Sequence, residues 1–442
     1  MQETVSPDGS CGSARRTRPI FVLGAAIRAL VALVAFPFEA KPVLFAQDRP
    51  TNLPTDHTKA KNIAAELIRL RKLRSLPPVV IPVPAAEVER VILAWLRKQQ
   101  PGDEAVRFTR ALAALGCVPR ELDLLPVRAR ILTRQIGGWF DAERSAVVIV
   151  DSSADPKPAA TPDPARAIIF GLLLRDRGFV LFPPTGERLT TNMRLARESL
   201  LAGDARLTLH LFSQAQPPAP QPGADDSGNA TNDMLTPSFL IELNAVAVAQ
   251  GFHLAQEAHR AGGGAQLDAA YSWPPSGTAG LLGRQPDRNP ALPAPSAIRI
   301  AGEILNGAAP SWDDELGQLA CLAYLRLQNS EEDAVLGARG LVADRLLAWE
   351  AKGEGIPNVA WQTLWHGTED AAAFEEAIAR VIGERYGVVT RSDEGFAFSA
   401  RGRHVALSRN RHSLGVLLLD AADAATLQTL ATMLSEPQST AK

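Results

Sequence analysis

Three cysteines in 442 residues are too few for a disulfide-dense scaffold or a Cys-rich zinc knuckle. With a leader removed, only Cys117 and Cys321 remain, which is compatible with one disulfide or with two buried thiols. Charge of one sign is also lacking. Lys and Arg total 46 against 48 for Asp and Glu, so the overall balance does nothing to attract a polyanion, and no nucleic-acid partner is expected. The chain has no Gly-x-Ser-x-Gly elbow, no Gly-x-x-x-x-Gly-Lys phosphate loop and no dinucleotide-binding glycine pattern. Gly262-Gly-Gly264 follows a helical pattern and reads as a helix stop. Seven histidines are present, but none has a partner four residues away, the spacing that puts two imidazoles on one helix face around a metal. No internal repeat is visible.

What is present is ordinary globular composition, 46% hydrophobic and 21% charged, long enough for one large domain or two smaller ones. Arg15, Arg16 and Arg18 precede an apolar run from Ile20 to Phe38, followed by Phe45-Ala-Gln-Asp48, the layout of a secretory leader over residues 1–47. Arg28 interrupts the run and no clean small-x-small triplet marks a cleavage point, so an uncleaved membrane anchor is the alternative. The expected location is therefore exported, periplasmic or extracellular, with membrane contact only through an uncleaved N-terminus. Removing residues 1–47 takes away five basic and three acidic residues, leaving 41 against 45, a net charge of −4.

Hydrophobic periodicity predicts an α+β, helix-rich fold. Helices are expected over 59–73, 87–98, 104–115, 192–212 and 237–260, with an edge strand over 77–84 that its prolines keep out of a sheet centre and a buried strand over 146–150. Asp163-Pro164 is a strong helix start and Gly178 a natural stop. Gly203 sits within the 192–212 pattern, where glycine weakens a helix. Residues 213–232 turn to Gln, Pro, Gly, Asp and Asn and read as a flexible loop. Ser311 and Asp314 suggest a capping box before a helix over 316–327, and the acidic run 313–315 an exposed helix start. A further helix is expected over 374–386. Residues 391–442 read as a small C-terminal element, a hairpin over 396–419 with its turn near Asn410, then a helix. The basic stretch Arg401 to His412 reads as a solvated hairpin turn.

Several stretches together resemble a family of secreted bacterial zinc metallopeptidases, gluzincin-like enzymes with a His-Glu-x-x-His helix and a later Glu as third zinc ligand. The resemblance is carried by Arg134-Gln-Ile-Gly-Gly-Trp-Phe-Asp141, Leu173-Leu-Arg-Asp-Arg-Gly-Phe179 and Ser199-Leu-Leu-Ala-Gly-Asp-Ala205. Later landmarks are Tyr271-Ser-Trp-Pro-Pro-Ser-Gly-Thr278, the segment 340–345 and the segment 365–374. The resemblance implies a zincin-like domain over 48–390. Aligned through Asp176 and Phe179, the two His positions fall on Ile168 and Leu172, the catalytic Glu position on Ile169, and the third-ligand position on Ala202. None of these side chains has a lone pair to offer a metal. Replacing all four polar groups with hydrocarbon is coherent, because a half-dismantled site would leave unsatisfied buried groups.

The expectation is thus a non-catalytic, metallopeptidase-like exported protein that binds no zinc and retains a groove for a peptide or protein partner. A buried core helix of an unrelated fold would also read as Ile168 to Leu174 does. A hydrolase with a relocated site near His253, Glu257 and His259 is the alternative enzyme, and a structural envelope component the alternative without a ligand. Zinc is expected only if the true ligands lie elsewhere than at the aligned positions.

Overall fold

The computed structural model describes residues 57–73, 76–151, 163–181, 188–215, 237–279, 281–282, 308–351, 355–387, 390–392, 395–400, 402–409 and 414–435, all within the unit Phe45–Lys442. The expected leader, residues 216–232 of the expected loop, Arg401 and the turn at Asn410 lie outside them. The described chain is α+β. Its first half comprises α1 (His57–Arg71), β1 (Val79–Val83), α2 (Ala85–Gln99), α3 (Glu104–Ala114), α4 (Leu124–Ile136), β2 (Gly138–Asp141), β3 (Ala146–Val150), α5 (Pro164–Arg177), α6 (Thr191–Ala215) and α7 (Ser238–Ser272). The second half comprises β4 (Trp312–Asp314), α8 (Gly317–Leu325), α9 (Glu331–Ala338), β5 (Leu341–Trp349), β6 (Asn358–Trp365), α10 (Thr368–Tyr386), β7 (Thr390–Ser392), β8 (Gly395–Ala400), β9 (Arg403–Arg409), β10 (Gly415–Ala421) and α11 (Ala424–Ser435).

Two sheets organise these elements. The first has the order β1-β3-β2, with β1 parallel and β2 antiparallel to β3. β3 is a run of Ala and β-branched residues, buried over its first four positions, the composition of a central strand covered on both faces. α5 packs on β2 and β3. Its start follows from two adjacent residues: Asp163 accepts a hydrogen bond from the Ala165 N–H at 2.9 Å, and Pro164 has no N–H to leave unpaired. Ile168, Ile169, Leu172 and Leu173 are fully buried among Val147, Val148 and Leu200, each contributing on the order of 1.5–3 kcal/mol by leaving water.

The second sheet has the order β4-β5-β6-β10-β9-β8-β7 and is antiparallel throughout. Period-two alternation divides the interior strand β6. Trp361 and Trp365 of β6 join the core that includes Phe374 and Ile378 of α10, whereas Ala360 and Leu364 face the cluster containing Leu430 of α11. Phe374 stacks on Trp365 at 4.6 Å and meets Trp361 edge-on at 5.7 Å. β10 pairs with β6 from Gly415↔Leu364 to Asp420↔Val359, so the C-terminal strands complete a sheet begun before residue 390.

Several sequence expectations are corrected. Ser311 and Asp314 form no capping box, because residues 312–314 are drawn into β4 by pairing with β5. Ser311 Oγ instead donates to the Ala348 carbonyl at 3.2 Å. Asp314 is buried, not at an exposed helix start, and accepts from the Thr191 N–H at 2.8 Å and hydroxyl at 2.6 Å. α8 begins later, at Gly317, and Asp344 caps it from 27 residues away, accepting the Leu316 and Gly317 N–H groups at 2.9 Å each and Trp361 Nε1–H at 3.0 Å. Gly317 has φ 78°, and a Cβ there would lie 2.0 Å from Asn192 Oδ1. The glycines after residue 261 interrupt a helix as expected: Gly262 and Gly263 leave helical geometry, Gly263 with φ 63°, and a second helical stretch of α7 follows to Ser272. Within the expected solvated hairpin, Arg403 is buried. Its Nε–H donates to Asp420 at 2.7 Å, and Nη1 and Nη2 donate to the carbonyls of Ile356 and Pro357.

Cys117 and Cys321 are free, buried thiols, and burial pushes the Cys321 thiol well above its ordinary range. α7 is long and apolar enough to cross a membrane by length and composition, and here it packs along α6 and against α8.

Candidate functional site

A cavity of about 400 Å³ lies among α4, α5, α6 and α7, lined also by Trp95 of α2 and Trp139 of β2. Helical spacing selects its walls. α5 contributes Arg166, Phe170 and Leu174, which repeat every four residues on one face. α6 contributes a stripe from Leu195 through Glu198, Ala202 and Arg206 to Ser213, five turns or roughly 27 Å at the helical rise per residue. α7 contributes residues from Leu240 to Gln256. Trp139 meets Trp95 edge-on at 5.0 Å and lies 5.1 Å from Phe170, so three aromatic rings brace one end of the wall.

The helices α6 and α7 cross with their main chains in contact. A Cβ on Gly203 would lie 1.9 Å from the Gly251 carbonyl oxygen, and one on Gly251 would lie 1.9 Å from the Ser199 oxygen. This explains a glycine within a helix: its lost propensity, about 1 kcal/mol, is offset by an approach no other residue permits. Beyond the crossing, Ala202, Ala205 and Ala247 are too short to fill the space between the helices, and the cavity is what remains.

Polar groups on the walls are few and mostly engaged. Arg128 faces Glu198 at 3.4 Å, with both side chains about one-fifth exposed. Arg166 donates to the Gln135 carbonyl at 3.2 Å, and the Gln135 side-chain oxygen accepts from Asn244. The Arg206 guanidinium lies over the Phe252 ring at 4.8 Å. His210 and Ser213 are exposed and mark where the wall meets solvent, whereas Leu181, Leu195 and Leu240 are buried. Trp139 Nε1–H is buried with no hydrogen-bond partner among the described residues.

The opposite side of α6 is filled. Asp204, fully buried, accepts from Arg71 Nε at 2.8 and 3.0 Å and from the Thr208 hydroxyl at 3.2 Å. Arg71 Nη2 reaches Asp268 at 2.9 Å, and Arg177 Nη2 reaches the same oxygen at 2.8 Å. Burial works against the Arg71 charge, but Asp204 and then Asp268 outweigh it and hold its pKa above the ordinary arginine value. This network ties α1, α5, α6 and α7 together behind the cavity wall.

The residues singled out from the sequence separate into two groups. Ile168, Ile169 and Leu172 lie in the hydrocarbon core and do not line the cavity, whereas Ala202 is half-buried in its wall. These four side chains contain no donor atom, so they do not fit a zinc ion. On α7, His253 and Glu257 are exposed one turn apart on one face, and His259 lies roughly 120° round the helix from His253. Among the described residues no three His, Cys, Asp or Glu side chains are grouped to hold a metal. Sequence reasoning missed Phe170, Leu174 and Arg166 as wall residues. The signal available was their own four-residue repeat, offset by two from the Ile168–Leu172 pair.

Comparison with protein-family models, with curated proteins and with solved structures yields no match.

Proposed function

We propose that this chain is an exported, non-catalytic binding protein built on a zincin-like scaffold, whose cavity receives an apolar group of a partner, a peptide or protein being the partner class the resemblance implies. The observation that carries the reading is the state of the aligned positions. Ile168, Ile169 and Leu172 are packed as core and Ala202 lines the apolar cavity, so none of the four aligned side chains offers a donor to a metal. Hydrocarbon packing at such positions is at least as stable as an unmetallated ligand set, whose imidazoles and carboxylates need desolvation or pairing. The cavity volume lies in the range of small-ligand sites, and its lining, mostly apolar with a few polar groups, has their character.

Elemental mass spectrometry on the full chain, purified without a tag after growth in zinc-supplemented medium, tests this reading together with a peptide-hydrolysis assay. The expected result is far less than one metal per chain and no cleavage. One metal per chain, removable only by a chelator, or measurable hydrolysis would overturn it. In the second case substitutions at His253, Glu257 and His259 test a relocated centre. Retention of no partner from envelope extracts would favour a structural envelope component over a binder.

A further inference from the structure

We infer that the cavity is a site for one uncharged, single-chain amphiphile of the long-chain alcohol class, its hydrocarbon lying along α6 and its hydroxyl at Gln256. This rests on the proposal that the chain binds rather than hydrolyses. The shape comes first. The α6 wall stripe runs roughly 27 Å beside a space of about 400 Å³, which is long and narrow and suits one extended chain rather than two chains or a compact ring system. One end, at Leu181, Leu195 and Leu240, is buried hydrocarbon and receives the chain terminus.

The wall's charged groups are engaged within the protein, which disfavours an ionic occupant. Arg128 faces Glu198, Arg166 donates to the Gln135 carbonyl, the Arg206 guanidinium lies over Phe252, and the His210 ring is 3.0 Å from the Gln214 amide. A charged head would have to displace one of these contacts or lose its hydration without a counter-ion, and a neutral head does neither. An extended peptide is disfavoured for a different reason. α4, α5, α6 and α7 pair their main-chain groups internally, and Gln135 and Asn244 satisfy each other, so peptide N–H and C=O groups would be buried without partners. Gln256 supplies the neutral polar contact. It is half-buried in the lining, and no described residue hydrogen-bonds its side-chain amide. It follows Phe252 by one turn of α7, and the Phe252 ring lies 6.2 Å from that of exposed His210, which places the amide toward the solvent end of the space. A side-chain amide both donates and accepts, and so does a hydroxyl, whereas a bare hydrocarbon does neither.

Titration calorimetry and native mass spectrometry of the full chain with dodecan-1-ol, dodecanoate, dodecyltrimethylammonium and cyclododecanol test the assignment. One dodecan-1-ol per chain is expected, about tenfold tighter than either ion, which must lose hydration or displace a paired wall charge. Cyclododecanol, with the same carbon count but no extended chain, should also bind about tenfold more weakly, because it covers less of the apolar wall. Gln256→Leu, at a half-buried position, should weaken dodecan-1-ol about fivefold through the lost hydrogen bond. Ala202→Trp should abolish binding while circular dichroism stays as in the parent. Equal or tighter binding of either ion or of cyclododecanol, or dodecan-1-ol binding that neither variant alters, overturns the inference. Hydrolysis in the peptide assay overturns the binding proposal and this assignment with it. A chain that is metal-free, inactive and unable to bind dodecan-1-ol overturns this assignment alone.

Discussion

At Asp204, Asp344 and Asp420 the protein buries carboxylates and fills every space around them, whereas along the cavity it leaves space and keeps its charges near the edge. Asp344 takes two helix-start N–H groups and an indole, and Asp420 takes Arg403 and the Tyr386 hydroxyl at 2.6 Å. Each such joint fastens elements far apart in sequence. Arg128 and Glu198 on the cavity wall remain partly exposed at a looser 3.4 Å, and the rest of the wall is largely apolar. The joints are costly to break and contribute to rigidity, and the Asp204 joint stiffens α6, one wall of the void.

The largest effect that sharpens this contrast belongs to a joint. Arg403→Ala removes the guanidinium partner of buried Asp420 and should cost about 3–5 kcal/mol in chemical denaturation. Gly203→Ala forces α6 and α7 apart at their backbone contact. A loss of about 3 kcal/mol is expected, together with a changed cavity bore seen as altered ligand affinity.

The Asp344 joint also has a pH signature. Burial raises its carboxyl to about 6 despite the hydrogen bonds from Trp361, Leu316 and Gly317 that lower it. Because the folded pKa lies above the unfolded one, the folded state holds the extra proton between about pH 4 and about pH 6. Stability from this group is therefore fully present below about pH 4 and falls, by on the order of 2–3 kcal/mol, as pH rises through about 6. Asp344→Asn should flatten that segment of the stability–pH curve. The smallest effect lies at the cavity. Ala202→Leu has room and should change stability by less than about 1 kcal/mol, while Ala360→Leu, fully buried between β6 and α11, should cost about 1–3 kcal/mol. Equal costs at the two positions would break the comparison.

Much of the helical half was legible because its signals are local. Asp163-Pro164 sets the start of α5, and the apolar run 146–150 forms β3. α4 escaped notice because Pro126 stands in its first turn, where proline is tolerated but reads as a breaker. β5 and β6 were illegible for a different reason. Asp344 and Arg345 lie within β5, and their suitability for a strand depends on a helix start and on Asp313, neither adjacent in sequence. The candidate site was half legible. The hydrocarbon at Ile168, Ile169, Leu172 and Ala202 could be read directly, but the cavity could not. It is a space defined by short residues on several helices, and only their three-dimensional crossing reveals which stripes face it.

The backbone contact at Gly203 and Gly251 bears on how such a site changes over time. Since main chain rather than side chains sets the distance between α6 and α7 there, the frame is held independently of the residues that upholster it. Substitutions along the Ala202 stripe can therefore retune calibre and depth one methyl at a time, like changing the lining of a fixed barrel, without moving the joints behind it.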